Sequence, residues 1–309
     1  MLISATIKHA QPDWRSLDLV REFGTDLTAH DFLSALTAGG RKVSQELLSV
    51  LSSADLPRLP CLDYAEAILD KQFIEAFDIW KEFPEVETYM NALPMPAETP
   101  QSSSIAVVLP GPADSDYGQQ IDSHDFVGRT GLRAPTTSEA LSVGTRFDVA
   151  FLNWNRFQEI RRSTNPLVID ADRIVTSAGF RHRSTPSWLS TEVGFELERY
   201  ETPTSLRSYM PLKIVTWCLQ RGIRPTLYCA DFYLGSTPYQ SPDYDSMRIL
   251  ETGDDHVVSY LRHDVFFTHA ALRHWHSNGA ILARGRLAEI LDLDGQSFAE
   301  ALQIRWRSK

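Results

Sequence analysis

The chain has little cysteine, no long apolar stretch and a deficit of positive charge. Its three cysteines, Cys61, Cys218 and Cys229, are scattered through 309 residues and odd in number. They form neither the close pairs of a zinc site nor the density of a disulfide-stapled domain. A reducing, cytoplasmic compartment is the expectation. No segment approaches the ~18 consecutive apolar residues that a membrane span requires, and the first residues lack a basic flank followed by an apolar core. Lys and Arg number 30 against 40 Asp and Glu, a formal charge of −10. That excludes a broad nucleic-acid-binding surface, which needs a cationic excess facing phosphates, so no nucleic-acid partner is expected. What remains is 43% hydrophobic and 23% charged. This suits a globular chain able to bury one large core, or one core with an appended smaller unit.

The first hundred residues read mainly as helices. Ala29-His30-Asp31-Phe32-Leu33 opens an apolar pattern at helical spacing, and Tyr64 to Trp80 continues it with few β-branched residues. Pro94 to Pro100 and the following Gln101 to Ser104 are rich in Pro and Ser, a composition that resists packing and favours a linker. The expected organisation is a helical N-terminal region over 1–100 and an α/β domain over 101–309. In the second part Ile105-Ala-Val-Val108, Phe147-Asp-Val-Ala-Phe151, Leu167-Val-Ile169 and Thr226-Leu-Tyr-Cys229 are short apolar runs separated by stretches able to hold helices. Such runs are the pattern of buried parallel strands. The expected fold class is therefore a doubly wound, mostly parallel α/β sheet, in which ligands sit beyond the carboxyl ends of the strands. The loops after Val108, Leu152 and Cys229 are the candidate site.

The segment from Ile105 to Pro135 carries most of the information. A buried strand feeds a Gly/Pro/Asp loop, and polar residues then surround Ile121, Phe126 and Val127. Gly111 could bring its backbone against a phosphate or ribose, although one glycine after a strand is a weak signal. Within this segment Ala106-Val-Val108, Tyr117-Gly118, Ile121-Asp-Ser-His-Asp-Phe-Val127, Arg129 and Ala134-Pro135 resemble the long sialylmotif of the sialyltransferase family. Val143-Gly-Thr-Arg146 is similar to the Val-Gly-Ser-Arg-Thr stretch that follows it. Pro203-Thr-Ser205, a helix around Tyr209 to Leu219, and Thr226 to Tyr233 resemble the short sialylmotif. His263-Asp-Val-Phe-Phe267, ahead of a helix running to Gly279, resembles the start of the very short motif.

The resemblance implies a Rossmann-like fold of the glycosyltransferase A variant. It also implies an inverting transfer of sialic acid from CMP-sialic acid to a glycan or glycolipid acceptor, with no obligatory metal and no other cofactor. His263 is the implied base, and a neutral imidazole suits the task of accepting a hydroxyl proton near neutral pH. Gly111, Ser115, Thr130, Gly131, Thr204, Ser205, Cys229 and Ala230 are the implied donor-binding positions. Asp122, His124, Asp125, Arg129 and Arg146 are the implied motif and structural residues. By themselves, Thr204 and Ser205 also read as an ordinary helix N-cap, and His263 as a capping or surface residue.

The chain departs from the family at several positions. Leu109-Pro-Gly-Pro112 stands where the family has Gly-Asn-Ser-Gly, and Gly131 takes the place of a second donor-binding Asn. Ile105 replaces the cysteine that opens the long motif, which removes the family's disulfide to the short motif, and Thr268 replaces a Glu after the histidine. The lost amides leave CMP-Kdo as an alternative donor. A catalytically inactive nucleotide- or glycan-binding relative is the other alternative.

Further constellations have simpler readings beside the functional ones. Asp170-Ala-Asp172 and Asp292-Leu-Asp294 could be acid-x-acid metal sites or solvated turns. His263, His269, His274 and His276 crowd one segment without a His-Glu-x-x-His arrangement, which suits a partly exposed helix. Arg156, Arg161, Arg162, Arg181 and Arg183 could rim an anionic acceptor or lie solvated. Arg305-Trp306-Arg307 with Lys309 could touch an anionic membrane surface peripherally.

Overall fold

Residues 60–95, 103–131, 134–153, 171–176, 192–195, 210–232, 234 and 263–307 are described by a computed structural model. The segments 29–33, 96–102 and 167–169 lie outside the described residues. The β-branched and apolar run Ile105-Ala-Val-Val108 forms β1, with all four residues buried. Six further strands align parallel to it: β2 (Phe126–Thr130), β3 (Val149–Leu152), β4 (Arg173–Thr176), β5 (Glu192–Phe195), β6 (Pro225–Tyr228) and β7 (Leu282–Ala283). The sheet order is β5-β4-β3-β2-β1-β6-β7. An all-parallel sheet must be covered on both faces, and the strands β1, β3 and β6 are accordingly buried along their whole length. The expected doubly wound α/β class is the observed one.

Successive side chains of a strand face opposite sides, and the two faces divide cleanly. Ile105, Val107, Leu109, Val149, Phe151 and Leu227 enter the larger core. There they meet α1 (Pro60–Leu69), α2 (Phe73–Trp80), α6 (Met210–Gln220), α7 (Val265–Ser277), α8 (Arg286–Asp292) and α9 (Gly295–Arg307). On the opposite face Ala106, Val108, Val127, Tyr228 and Cys229 pack with Ile121 of α4 (Gly118–Asp122) and Val143 of α5 (Ala140–Val143). The remaining helix, α3 (Pro84–Asn91), buries no residue fully but sets Tyr89 edge-on to Phe267.

Aromatic packing joins α1 and α2 to the C-terminal helices. Phe266 of α7 lies 5.4 Å from Phe77, 5.9 Å from Trp80, and 6.4 Å from both Tyr64 and Phe298. Its complete burial contributes about 1.5–3 kcal/mol, with edge-to-face contacts adding to it. Trp306 is buried against Phe73, and Lys71 sits 5.7 Å over its ring. The indole of the C-terminal basic segment thus belongs to the core.

Several local departures from the sequence expectation have physical causes. Tyr64 to Trp80 is two helices, because Lys71 turns left-handed at φ 61° between them. Gln303 closes that break: its amide donates to Lys71 O at 2.7 Å and its oxygen accepts from Ile74 N at 3.4 Å. Strand β2 was not anticipated, since Phe126-Val-Gly-Arg-Thr130 contains both Gly and Arg. It pairs because Gly128 leaves room for the Phe151 ring, which a Cβ would strike, and because Arg129 finds carbonyl acceptors on the chain before β3. Strand β6 ends at Tyr228, one residue earlier than expected, and Cys229 is left-handed at φ 57°.

Replacing Gln303 by Leu removes the partners of Lys71 O and Ile74 N together. Urea unfolding should show a loss of about 1–3 kcal/mol, whereas Ile304→Ala, at a position 71% exposed, should change stability by less than about 0.5 kcal/mol.

Candidate functional site

The strand order reverses its direction of winding between β1 and β6. At such a switch point the loops leaving the two strands part to opposite faces and open a crevice beyond their carboxyl ends. Here the loops after Val108 and Tyr228 remain in direct backbone contact. A Cβ on Gly111 would lie 2.6 Å from the Cys229 carbonyl oxygen and 3.0 Å from Ala230 Cα. Gly111 is therefore required by loop-to-loop contact, and Leu109 N donates to Tyr228 O at 3.0 Å to continue the ladder past the strands. Burial pushes the Cys229 thiol up to about 12, so this side chain is a neutral packing group near pH 7. Ala230 is partly exposed beside it, and Ser115 is exposed farther along the β1 loop.

Three anchors fix the loop after β1. Gly111 holds it to the β6 loop. Tyr117 N donates to Ser142 O at 3.1 Å. The Asp114 carboxylate accepts from Arg286 N at the start of α8 and from the Tyr117 hydroxyl. Burial, and then that bond to Asp114, push the Tyr117 phenol up to about 12. Arg284 and Arg286 enter this edge on the turn that follows β7, and both are exposed. Sequence reasoning did not single out Asp114, Arg284 or Arg286. Their signal was the Ala283-Arg-Gly-Arg286 turn after a short apolar run.

Thr130 and Gly131 lie at the carboxyl end of β2. Thr130 is only 5% exposed and its hydroxyl has no hydrogen-bond partner among the described residues; Gly131 is buried at φ 138°, a backbone region closed to residues with a side chain. His263 immediately precedes Asp264, the N-cap of α7. Because α7 leads into the parallel strand β7, it runs back from the carboxyl edge to the amino edge, and its N-terminus lies at the carboxyl edge. Phe232 of the β6 loop packs 5.9 Å from His269 of the same helix. His263 thus belongs to the same edge of the sheet as Gly111, Ser115, Thr130, Gly131, Cys229 and Ala230. Thr204 and Ser205 lie outside the described residues, as do Asp170, Lys309 and the arginines 156, 161, 162, 181 and 183.

The other motif residues gather mainly at the opposite, amino edge. Asp122 accepts from Thr145 N at 2.8 Å, Thr145 Oγ1 at 3.0 Å and Arg146 N at 3.0 Å. Burial opposes ionisation of this carboxyl, but the N–H groups of Thr145 and Arg146 prevail and hold it below its ordinary value. The Arg146 guanidinium donates to the carbonyls of Asp122, His124 and Asp125 and pairs with Asp148 at 2.8 Å. Asp148 also receives Val127 N at 2.7 Å. Asp125 receives Ser104 N at 2.7 Å and its hydroxyl at 3.0 Å, and these bonds keep its carboxyl low.

Arg129 joins this network from within β2. It donates to Arg146 O at 2.8 Å and Val143 O at 2.6 Å, and burial lowers its guanidinium to about 10. His124 Nε2 meets the Tyr228 hydroxyl at 3.2 Å, joining the turn before β2 to β6. Apart from His124, whose Nδ1 is buried without a hydrogen-bond partner among the described residues, these groups are occupied in setting the entries of β1, β2 and β3, the work of a clasp rather than of a ligand pocket.

The acidic pairs have local roles or stand apart. Asp172 precedes β4 and is exposed at the amino edge. Asp294 accepts from Ser297 N at 2.7 Å at the start of α9. Among the described residues no three His, Cys, Asp or Glu side chains gather in a metal-binding arrangement, and no helix is long and apolar enough to cross a membrane. Within the histidine-rich segment His269 is a core residue: it is 1% exposed, stacked 4.0 Å on Phe298, and joined through Nε2 to Ile290 O at 2.9 Å. Burial lowers its imidazole to about 4, so it stays neutral at pH 7.

No protein-family model matches the chain, and no curated protein does. Among solved structures it is similar to a mammalian sialyltransferase at 16% identity and a TM-score of 0.36, over 66% of this chain and 79% of that one. A second is a mammalian sialyltransferase in complex with Gal-beta-1-3GalNAc-ortho-nitrophenol, at 14% identity and a TM-score of 0.34, over 80% and 88%. At these scores neither overlap assigns an activity to this chain.

Two outcomes follow from the geometry. Asp122→Ala strips acceptors from two backbone N–H groups and a hydroxyl, and should cost about 2–4 kcal/mol in urea unfolding while leaving ligand affinity of the folded protein unchanged. His269 gives stability a pH dependence. The unfolded imidazole, near 6.5, takes up a proton that the buried one refuses until about 4. Its contribution is therefore whole above about pH 6.5 and declines by about 3 kcal/mol as the pH falls to 4. His269→Gln, which keeps a donor for Ile290 O, should flatten the unfolding free energy across that window.

Proposed function

We propose that the chain is an inverting glycosyltransferase that moves sialic acid from CMP-sialic acid to a glycan or glycolipid acceptor. The observation that carries this reading is the separation of the motif residues by edge. Of the positions that the sialyltransferase resemblance assigns to donor and base, the described ones (Gly111, Ser115, Thr130, Gly131, Cys229, Ala230 and His263) lie at the carboxyl edge, around the switch point, whereas most of the remaining motif residues form the amino-edge clasp. Ligands of open parallel sheets occupy the carboxyl edge. Thr130 is in keeping with the reading, because its buried hydroxyl stands at the carboxyl edge, where the resemblance puts the donor.

The chemistry is one displacement. The acceptor oxygen forms a bond to the anomeric carbon of the acidic sugar as the bond from that carbon to the phosphate oxygen breaks, and CMP departs with the electron pair. The acceptor hydroxyl proton passes to His263. The β1 loop is held by Gly111, Asp114 and Tyr117 before any ligand arrives, and such preorganisation spares the cost of ordering it around the leaving phosphate. The backbone amides of Gly111 and of Ala113 to Asp116, with the hydroxyls of Ser115 and Thr130, are the donors offered to CMP.

Thermal melting with CMP, UDP and GDP in parallel tests the donor class, since a ligand at a hundredfold over its dissociation constant stabilises by about 2.7 kcal/mol. A rise with CMP alone is expected; a rise with UDP or GDP alone would overturn the assignment. Product analysis with CMP-sialic acid and CMP-Kdo then separates the two acidic sugars. His263→Ala should lower turnover by about 10²–10⁴-fold with CMP binding retained, and unchanged turnover would remove His263 as the base.

A further inference from the structure

Helix α7 opens in an unusual way. An N-cap residue is ordinarily extended, but Asp264 is left-handed, at φ 41° and ψ 75°, and completely buried. That conformation is unfavourable for any residue with a side chain, although Asp and Asn tolerate it best. Backbone outliers of this kind persist only where their surroundings over-determine them, and here three hydrogen bonds do so. The Asp264 carboxylate accepts from Phe267 N at 3.0 Å, and Thr268 N donates to Asp264 O at 3.0 Å. Thr268 Oγ1 donates to His263 O at 3.2 Å. A helical threonine ordinarily bonds back to the carbonyl four residues earlier. This one reaches five back, past the cap, to the residue that the proposed mechanism uses as base.

The helix behind these bonds cannot shift to accommodate a different arrangement. Phe266 and Phe267 are buried next to the cap, Phe266 among four aromatic rings, and Thr268 itself is completely buried. The direction in which the chain enters α7 is thereby set by the left-handed Asp264, and the plane of the His263–Asp264 peptide by the Thr268 hydroxyl. Both constraints act on the backbone that carries the His263 side chain.

We propose that Asp264 and Thr268 are positioning residues for His263, a left-handed cap and a back-reaching hydroxyl that together fix the direction of its imidazole at the carboxyl edge. The proposal rests on the reading of His263 as the base for its catalytic consequence, but not for its structural one. A helix cap that served stability alone would need neither the left-handed turn nor the bond to His263.

The test uses Thr268→Val, which keeps the shape and removes the hydroxyl, Thr268→Ser, which restores it, and Thr268→Ala as a smaller companion. Two readouts are taken on the full chain. One is the nitrogen-detected spectrum of the imidazole rings, with His263 assigned by its loss in His263→Gln. The other is CMP release from CMP-sialic acid. Thr268→Val and Thr268→Ala should move or broaden the His263 ring signals while those of His274 stay in place, and Thr268→Ser should return them.

In turnover, kcat should fall by ~10–100-fold in Thr268→Val, the penalty for a misdirected catalytic group. KM should stay within about twofold, the signature of an interaction lost in the transition state alone. In a His263→Ala background the same substitution should cost nothing further, because Thr268 would act only through that ring. His263 signals that are unmoved in both hydroxyl-free variants, or an equal loss of kcat with and without His263, would overturn the proposal. Full turnover in His263→Ala would instead defeat the base assignment, and the ring spectrum would still decide the positioning.

Discussion

The backbone of Gly111 lies so near the Cys229 carbonyl that no side chain fits between them, and the organisation of the sheet turns on that contact. The sheet winds one way from β1 through β5 and the other way through β6 and β7. The loops leaving β1 and β6 would otherwise part at the reversal. Their contact demands a glycine on one side and a left-handed residue, Cys229, on the other. The carboxyl edge gains a fixed floor, to which the β1 loop is further tied by Asp114 at the start of α8 and by Tyr117 at Ser142.

The two edges of the sheet divide the work. At the amino edge, charged groups are spent on backbone partners: Arg146 on three carbonyls and Asp148, Asp122 on the Thr145–Arg146 turn, Asp125 on Ser104. The half-buried Asp122, Arg146 and Asp148 are tolerated only because their hydrogen-bonding capacity is met, and meeting it, with the exposed Asp125, fixes the entries of three strands. At the carboxyl edge Ser115 is exposed, Thr130 has a buried hydroxyl with no hydrogen-bond partner among the described residues, and α7 presents its N-terminus with His263, while Arg286 pairs with Glu289 at 2.6 Å and Arg284 bonds the Tyr228 hydroxyl. Polar groups held on so rigid a scaffold are what a ligand site requires.

Strand β1 could be read to the residue because four successive buried apolar positions admit little else, whereas α7 was expected from the motif resemblance to run to Gly279 and ends at Ser277. Strand β2 was hidden: its Gly and Arg are unfavourable in isolation and make sense only beside Phe151 and the carbonyls of Val143 and Arg146, neighbours that no local pattern supplies. The Lys71 break had no glycine to announce it. The C-terminal segment misled through its charges, although Phe298, Leu302 and Trp306 recur at helical spacing and are all buried. His269 likewise reads as one of several helix histidines until Phe298 is found stacked on it. The candidate site was legible as a set of motif residues. Their sorting into a carboxyl-edge group and an amino-edge clasp required the strand pairing, which sequence spacing does not encode.

The most direct measurement is amide hydrogen exchange of the full chain with and without saturating CMP, resolved by peptide. The account predicts new protection in 109–117 and 229–232, the loops that meet at Gly111, together with unchanged exchange in 122–127 and 145–148. Protection that arises in the amino-edge segments, with the carboxyl-edge loops unaffected, would contradict it.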